Sequence, residues 1–276
     1  MPELPEVEQV RRTLAPKLVG QTVSSVRIFY PERVFEVTPV EFRRGVVDSR
    51  IKKLSRRGKY LLMQTDRQYT ALIGLGMTGR FIVEPSLEPL DYLIVAFGLK
   101  RNRMVKLYDM RRFSRISLAE TGKVGQHPFL ARLGHEFDDK RLTPSVLRKE
   151  LQRFRRRNIK SVLLDQGVIA GLGNIYANEV LFAAKLNPER EAHTLNVNEC
   201  SVLLGTTRRI LRKAIEMGGT TVRNFRDADG RHGRYASELK VYLREGQPCP
   251  RCGKKNEIRR IVLGGRSTFY CPRCQK

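Results

Sequence analysis

Four cysteines near the end of the chain have the spacing of metal ligands. Cys249 and Cys252 form one Cys-x-x-Cys pair, and Cys271 and Cys274 form a second. Each pair can place two thiolates on one tight turn, and two such turns complete a tetrahedron around Zn²⁺. Free or disulfide-bonded cysteines are the alternative, but the paired spacing does not favour them. Because protein ligands fill all four positions, we expect one structural zinc ion and no catalytic metal.

The first residues of the chain could carry out covalent chemistry. If Met1 is removed, Pro2 presents a secondary amine, and a terminal α-amino group has a reference pKa of about 8, well below that of lysine. Such an amine can attack a sugar carbon and form an iminium, as lysine does in a Schiff base. Glu3 could transfer protons in the same reaction. Most Met-Pro sequences do no such chemistry, so this interpretation depends on the rest of the chain.

Basic residues are abundant around both features. The net charge of +25 favours a polyanionic partner such as nucleic acid over a membrane surface. Arg266 follows two glycines that read as the tip of a hairpin between the cysteine pairs, where a cation can reach phosphate. Lys160 ends a basic run that begins at Arg148. The alternative for such cations is a solvated surface with no specific partner.

The elements that must position these residues change type along the chain. Apolar residues at helical spacing predict a helix from Glu6 to Leu18, which Pro16 should bend or end. Alternating patterns then predict an antiparallel β-domain flanked by helices. After about residue 135 the patterns become helical, and 220–240 reads as a polar loop. The predicted strands are Val23–Phe29, Tyr60–Gln64, Tyr69–Ile73, Leu93–Phe97 and Met104–Tyr108; the predicted helices are Pro144–Phe154, Ile159–Asp165, Asn174–Leu186 and Val197–Met217.

The composition excludes a membrane-spanning protein. No apolar run approaches the roughly 20 residues that a spanning helix needs, and the first residues are acidic instead of forming the basic start of a signal peptide. We therefore expect a soluble, cytoplasmic protein whose cysteines stay reduced. Cys200 lies in a helical pattern and is expected to be an ordinary core residue.

Several motifs occur together in an order that is typical of one enzyme family. They are Pro2-Glu3-Leu4-Pro5-Glu6-Val7-Glu8, Arg56-Arg57-Gly58-Lys59-Tyr60-Leu61, Leu75-Gly76-Met77-Thr78-Gly79, Tyr108-Asp109-Met110-Arg111-Arg112-Phe113, Ile159-Lys160, Leu164-Asp165-Gln166, Gly171-Leu172-Gly173-Asn174-Ile175-Tyr176-Ala177-Asn178-Glu179, Gly218-Gly219-Thr220-Thr221 and Arg266-Ser267-Thr268-Phe269-Tyr270-Cys271-Pro272-Arg273-Cys274-Gln275. With them the chain resembles the formamidopyrimidine-DNA glycosylases, which remove oxidised purines, over nearly its whole length.

The resemblance implies an α+β fold in three parts. These are an N-terminal antiparallel β-sandwich with flanking helices (1–134), a helical helix–two-turn–helix domain with a lesion-capping loop (135–240), and a zinc finger (241–276). It implies a monomeric, bifunctional glycosylase and AP lyase for double-stranded DNA with oxidised bases or abasic sites, associated with the nucleoid through that DNA. Pro2 would form a Schiff base with the sugar, and β- and δ-elimination would cut the strand. The structural Zn²⁺ is the one cofactor implied.

The resemblance also implies roles for single residues. An enzyme that acts on C1′ must extrude the nucleotide and fill the gap, and Met77, Arg111 and Phe113 match the family's residues for this purpose. Core packing is the alternative for Met77 and Phe113. The residues implied to act in catalysis are Pro2, Glu3, Lys59 and Arg266. Those implied to bind DNA are Glu6, Met77, Arg111, Arg112, Phe113, Lys160, Asn174 and Tyr242. Those implied to cap the lesion are Thr220, Thr221, Val222 and Arg223.

Three segments depart from the family pattern. Gly74 stands where the family usually has histidine, so one expected phosphate contact is lost. Leu90 and Tyr92 lie in a stretch that usually reads Lys-His-Asp-His. The usual Leu-Gly-Pro-Glu-Pro linker appears as Leu-Gly-His-Glu-Phe over 133–137. These changes bear on DNA affinity and domain geometry but leave the predicted nucleophile in place.

Three other functions are compatible with parts of the sequence. An endonuclease VIII-like glycosylase for oxidised pyrimidines would share most motifs, although the ordinary length of the lesion-capping loop favours oxidised purines. A DNA-damage-binding protein without turnover would explain the lost histidine, but Pro2, Glu3 and Lys59 argue against it. A general zinc-ribbon nucleic-acid binder would explain the cysteines and the charge, and would leave the N-terminal motif unexplained.

Overall fold

The computed structural model describes residues 2–84, 91–100, 102–222 and 225–276. It separates into two compact units. The first comprises Met1–Ala131 and Met217–Arg234, and the second comprises Arg132–Glu216 and Tyr235–Lys276. The chain therefore leaves the first unit, builds part of the second, and returns to the first before it ends in the second. The division into three domains at 134 and 240 stays a prediction.

Antiparallel strands make up most of the first unit. Its strands are β1 (Val23–Ile28), β2 (Ile51–Arg57), β3 (Tyr60–Thr65), β4 (Tyr69–Gly74), β5 (Arg80–Glu84), β6 (Leu93–Leu99), β7 (Arg103–Tyr108) and β8 (Arg115–Glu120). Its helices are α1 (Leu4–Leu18), α2 (Pro39–Val46) and α3 (Pro128–Ala131). Within the described residues, the strands form two four-stranded sheets with the orders β1-β6-β7-β5 and β2-β3-β4-β8.

Both sheets contribute to one hydrophobic core. Leu61 and Met63 of β3 belong to the same buried cluster as Phe97 of β6 and Leu107 of β7. The apolar side of α1 joins this cluster through residues such as Leu14. Burial of side chains of this size stabilises a fold by about 1.5–3 kcal/mol each. The shared core explains why the two sheets form a single layered unit, and the predicted α+β class is confirmed.

The five predicted strands all occur, within two residues of their predicted ends. Three strands, β2, β5 and β8, were not predicted. In β2 only Ile51 and Leu54 are buried among basic and polar neighbours, so the alternating pattern is weak. Helix α1 starts at Leu4, with Pro5 in its first turn, and continues to Leu18. Pro16 therefore lies inside the last turn and does not end the helix.

Helices make up most of the second unit. They are α4 (Pro144–Gln152), α5 (Ile159–Leu163), α6 (Asn174–Ala184) and α7 (Val197–Glu216). The sequence predicts each of these helices, but each ends one or two residues earlier in the structure than predicted. Two of these helices have a side-chain N-cap. For α4, Thr143 Oγ1 accepts a hydrogen bond from Val146 N at 3.2 Å. For α5, Asn158 Oδ1 accepts one from Ser161 N at 2.8 Å. Across the described ranges, no helix combines the length and apolarity needed to span a bilayer.

Two small hairpins complete the second unit. Their strands are β9 (Pro248–Cys249), β10 (Gly253–Glu257), β11 (Arg259–Leu263) and β12 (Arg266–Tyr270). Strands β11 and β12 close with the pair Leu263–Arg266, and both glycines at the tip have left-handed φ angles, 54° for Gly264 and 71° for Gly265. Phe269 of β12 packs with Phe182 of α6 in a small core that includes two of the cysteines. The hairpins are therefore held on α6.

Candidate functional site

A capping box at the start of α1 places two buried acids beside Pro2. Glu3 is the N-cap residue, and its side chain accepts a hydrogen bond from the backbone N–H of Glu6. Glu6 Oε2 in turn accepts one from the backbone N–H of Glu3 at 2.8 Å. Glu3 and Glu6 are only 2% and 1% exposed, and Pro2 is buried as well. The helix N-terminus favours negative charge here, so both carboxylates are stabilised beside Pro2.

Glu6 also binds the segment that follows α7. Its Oε1 accepts a hydrogen bond from Thr220 N at 2.7 Å. Gly219 allows this approach because its φ is +83°, and a Cβ at that position would lie 2.8 Å from Glu6 Oε1. One carboxylate thus bridges the backbone beside Pro2 and the first residues predicted to cap the lesion.

The other residues predicted to cap the lesion come directly after Thr220 in the chain. Thr221 Oγ1 donates to Phe225 O at 3.0 Å and accepts from Gly233 N at 2.9 Å, which closes the base of a loop. Val222 is 37% exposed. Arg223 lies outside the described residues.

Lys59 stands in the tight turn between β2 and β3. Gly58 precedes it with a left-handed φ of 54°. Arg56 Nη1 donates to Gly58 O at 2.9 Å, and Arg56 Nε lies 3.5 Å from Glu8 Oε2 on α1. Arg56 therefore ties the turn that carries Lys59 to the helix that begins beside Pro2.

Asp109 joins two loops of the first unit. Its Oδ2 accepts hydrogen bonds from the backbone N and the Oγ of Ser114, both at 2.6 Å. Its Oδ1 accepts from Thr78 Oγ1 and from Arg111 N, the latter at 3.2 Å. The residue is fully buried. Sequence reasoning missed this role, because Thr78 lies on another loop and the groups of Arg111 and Ser114 that take part are a backbone N–H, or a backbone N–H and a hydroxyl.

These two loops carry the residues predicted to fill the gap in the DNA. Phe113 is 48% exposed, and the Arg111 guanidinium lies 4.8 Å from its ring centroid. Met77 is half-buried. Gly76 lets the loops meet, since a Cβ there would lie 2.6 Å from the carbonyl carbon of Phe113. An exposed phenylalanine that is not part of the core is a suitable wedge for a base step.

Arg112 is oriented differently from its neighbours. It has a left-handed φ of 54°, and its guanidinium lies 4.3 Å from the ring centroid of Tyr30. Its carbonyl accepts a hydrogen bond from Arg33 Nη1 at 2.7 Å. The stacking on Tyr30 gives this cation a fixed position next to the exposed loop.

The departures from the family pattern have structural counterparts. At Gly74 a Cβ would lie 2.9 Å from Cε1 of Tyr60, so the tyrosine ring covers the position where the family has a histidine. Tyr92 is exposed, and its carbonyl accepts a hydrogen bond from Asp109 N at 2.8 Å. Leu90 lies outside the described residues.

In the second unit, Lys160 and Asn174 form one polar cluster. Lys160 Nζ donates to Asn174 Oδ1 at 2.7 Å and to Thr268 Oγ1 at 3.3 Å. Asn174 Nδ2 donates to Ser267 O at 2.9 Å. Lys160 is 0% exposed. In this arrangement its ammonium group orients Asn174 and β12 and is not presented to solvent, which sequence reasoning did not anticipate.

Asn174 also begins α6, and Arg266 begins β12. Gly173 is the N-cap of α6, with an extended backbone. A helix N-terminus attracts phosphate through its dipole and backbone N–H groups. Arg266 is exposed directly after the left-handed Gly264 and Gly265 at the hairpin tip. Both residues therefore stand where a phosphate could be bound.

Glu179 fixes the backbone around Tyr242. Its carboxylate accepts hydrogen bonds from the N–H groups of Lys240, Val241 and Tyr242 at 2.9, 3.0 and 2.9 Å. Burial raises the pKa of Glu179, and the three N–H donors counteract part of that rise. The Tyr242 ring packs edge-on against Phe269 at 5.4 Å. Glu179 lies in a family motif, but its role became visible only in the structure.

The four predicted metal ligands come together. Their Sγ atoms all lie within 4.8 Å of one another, with 4.0 Å between Cys249 and Cys274 and 3.9 Å between Cys252 and Cys271. Zn–S bonds of about 2.3 Å in a tetrahedron require sulfur separations of roughly 3.8 Å. The donor set and its size therefore fit one structural Zn²⁺. Cys200 is buried in α7, away from this cluster, as expected.

The two antiparallel sheets, the helical unit and the four-cysteine hairpins define a DNA glycosylase of the helix–two-turn–helix class. Family models match in the same order: the formamidopyrimidine-DNA glycosylase N-terminal domain over residues 1–116, its H2TH domain over 133–226, and a zinc finger found in FPG and IleRS over 246–276. The chain belongs to the formamidopyrimidine-DNA glycosylase family.

Relatives and solved structures agree with this assignment. The formamidopyrimidine-DNA glycosylase of Pelotomaculum thermopropionicum is 45% identical over 100% of this chain and 99% of its own length, and that of Desulforamulus reducens is 44% identical with the same coverage. A complex between a Lactococcus lactis FPG mutant and Fapy-dG-containing DNA has a TM-score of 0.92 at 33% identity and full coverage of both chains. A complex of Lactococcus lactis Fpg with DNA containing an abasic site has a TM-score of 0.91 at 33% identity, with 99% of both chains covered.

Proposed function

We propose that this enzyme excises oxidised purines, 8-oxoguanine and formamidopyrimidines, from duplex DNA and then cleaves the abasic site with Pro2 as nucleophile. The Pro2 nitrogen bonds to C1′ while the bond from C1′ to the damaged base breaks, and the base leaves with that electron pair and takes up a proton. The Pro2 nitrogen then loses its proton, its electron pair forms the iminium with C1′ as the C1′–O4′ bond breaks, and O4′ is protonated. Loss of a C2′ proton then expels the 3′ phosphate, loss of the C4′ proton expels the 5′ phosphate, and water hydrolyses the iminium to release Pro2.

The arrangement of Pro2, Glu3 and Glu6 is the observation that supports this mechanism most directly. Two buried acids are held at the start of the helix by reciprocal hydrogen bonds with the backbone next to Pro2. In the proposed mechanism Glu3 protonates O4′ and later accepts a proton. Glu6 is engaged through both oxygens and acts as a positioning residue.

The other predicted site residues are proposed to bind the DNA. Phe113 and Met77 fill the gap left by the extruded nucleotide, and Arg111 donates hydrogen bonds to the base that has lost its partner. Arg112 and Tyr242 contact the strands beside the gap. Lys59 binds the phosphate next to the lesion. Asn174 and Arg266 bind flanking phosphates, and Lys160 supports them through the hydrogen bond that orients Asn174.

The segment after α7 is proposed to cap the extruded base. Thr220, Thr221, Val222 and Arg223 are the candidate contacts. The bound Zn²⁺ supplies no chemistry to the reaction and stabilises the hairpins that carry Arg266. Since the substrate is DNA and the relatives are bacterial enzymes, we infer that the protein acts in the cytoplasm.

Borohydride trapping on a duplex with 8-oxoguanine tests the nucleophile. Hydride reduces the iminium to a stable amine, so the mature enzyme should become covalently attached to the DNA, and mass spectrometry should locate the adduct on Pro2. The assignment fails if native protein gives no adduct, or if Pro2→Gly traps equally well. A duplex with thymine glycol run in parallel tests the preference for purines, and faster excision of thymine glycol would favour an endonuclease VIII-like substrate range.

A further inference from the structure

Four polar side chains form one line along α1. Glu6, Gln9, Thr13 and Lys17 follow each other at intervals of three or four residues, so they share one side of the helix. We call them the polar stripe. The apolar residues of α1 face the core of the first unit, and the polar stripe binds the segment that follows α7. Glu6 binds the start of this segment at Thr220 N.

The other three members of the polar stripe bind a second point on the same segment. Gln9 Nε2 donates to Asp227 Oδ2 at 2.9 Å. Thr13 Oγ1 accepts from Ala228 N at 3.2 Å, and it donates its own proton within α1, to Gln9 O at 3.0 Å. Lys17 Nζ donates to Ala228 O at 3.2 Å and forms an ion pair with Asp229.

The bound turn, residues 227–231, is internally braced. Asp227 Oδ1 accepts from the backbone N–H groups of Asp229 and Arg231, both at 2.9 Å, and Asp227 N donates to Arg231 O at 3.0 Å. Asp227 and Ala228 are buried, and Ala228 belongs to the core of the first unit. The turn therefore docks on α1 as a preformed block.

We infer that the polar stripe is a specificity-determining element that sets where the lesion-capping residues stand relative to Pro2. It fixes the residue before 221–226, Thr220, and the turn after it, residues 227–231, on the helix whose N-terminus carries the nucleophile. This inference rests on the proposed function, in which that segment covers an extruded damaged base. An abasic nucleotide has no base to cover. The polar stripe should therefore be needed for base excision and not for cleavage of an abasic site.

The test removes the three polar side chains that bind the turn while leaving Glu6 and the nucleophile intact. The variant combines Gln9→Leu, Thr13→Val and Lys17→Met, which keep the approximate shape of each side chain. Lys123→Met is the matched control, because it removes another lysine of the first unit that pairs with an acid, Glu120, on an exposed surface. Single-turnover release of 8-oxoguanine is compared with single-turnover cleavage and borohydride trapping at a preformed abasic site.

We expect base release to slow by about tenfold or more in the triple variant, since small displacements of positioning groups have effects of this size. Abasic-site cleavage and trapping should stay within about twofold of the parent, and Lys123→Met should change neither. An equal loss of both activities, or no loss of either, would overturn the inference. Failure of the parent enzyme to trap on the abasic site would instead count against Pro2. If the triple variant does not fold, Thr13→Val and Gln9→Leu are measured singly, with the same difference between substrates expected at smaller size.

Discussion

The ring of Tyr60 occupies the space above Gly74. The two residues are paired across β3 and β4, and a Cβ on Gly74 would lie 2.9 Å from Cε1 of that ring. Tyr60 is stacked on Phe129 with ring centroids 5.3 Å apart. Because the tyrosine is packed in this way, position 74 cannot accept a larger side chain unless the ring moves.

Gly74→Ala should therefore destabilise the protein by about 1–3 kcal/mol, the usual cost of overpacking. Urea denaturation measures the difference. Gly122→Ala is the control, since no atom lies within 4 Å of a Cβ at that position. Equal stabilities of the two variants would show that the Tyr60 ring moves aside at no cost.

The Asp109 carboxylate should be essential for the exposed loop that carries Phe113. Asp109→Asn replaces one acceptor oxygen with an NH₂ group that faces donors, so buried N–H and O–H groups lose their partner. We expect a loss of about 2–3 kcal/mol in unfolding free energy and weaker binding to lesion-bearing duplex. Asp66→Asn, which changes an exposed carboxylate that accepts from Arg50 N, should have a much smaller effect on both. Unchanged duplex binding by Asp109→Asn would show that the loop carrying Phe113 keeps its conformation without this carboxylate.

Glu8 should make stability depend on pH in the acid range. Burial alone would raise its pKa, but hydrogen bonds from Arg11 and Arg12 and the charge of Arg56 hold the pKa below its ordinary value of 4.5. A carboxyl group with a lowered pKa in the folded state stabilises the fold at pH values above 4.5, and this stabilisation is lost as pH falls through the folded-state pKa. Glu8→Gln should cost about 1 kcal/mol near neutral pH, after allowance for solvent screening.

Urea titrations of Glu8→Gln and the parent protein at several pH values test this prediction. The difference between them should be constant from neutral pH to about pH 5 and should shrink as the solution becomes more acidic. A difference that grows on acidification would contradict the predicted sign.

Removal of single cysteines should distinguish the metal ligands from the core cysteine. Cys271→Ala should abolish zinc binding and duplex affinity, because the hairpins fold around the metal. Cys200→Ala should retain one zinc ion per chain, since Cys200 is buried in α7 and burial raises its pKa to about 11. Metal analysis of both purified variants gives the answer. Retention of stoichiometric zinc by Cys271→Ala would contradict the four-cysteine site.

Gly219 and Gly230 offer a matched pair of substitutions. Both have left-handed φ angles, +83° and +77°, so alanine strains the backbone similarly at each, by about 1 kcal/mol. Only at Gly219 would the added Cβ meet Glu6 Oε1, at 2.8 Å. Gly219→Ala should therefore lower 8-oxoguanine excision by about tenfold more than Gly230→Ala does. Equal excision rates would mean that the contact between Glu6 and Thr220 is dispensable.

Features that depend on the spacing of residues close together in the chain could be predicted from the sequence. The paired cysteines, five strands of the first unit and the four helices of the second unit belong to this group. What could not be predicted depends on partners far away in the chain. The buried ammonium group of Lys160 donates hydrogen bonds to Asn174 and Thr268, and the buried carboxylate of Asp109 accepts one from Thr78 on another loop. Strand β2 was missed because its pairing with β3, and not its own weakly alternating sequence, makes it a strand.

The return of the chain at Met217–Arg234 to the first unit has a consequence for synthesis on the ribosome. Ala228 belongs to the core formed by the two sheets, and Phe225 packs against it, yet residues 132–216 are translated before either of them. Nascent chains usually fold domain by domain from the N-terminus. Here the two sheets of the first unit emerge with part of their apolar surface uncovered. Their packing is complete only after residues 217–234 have been synthesised.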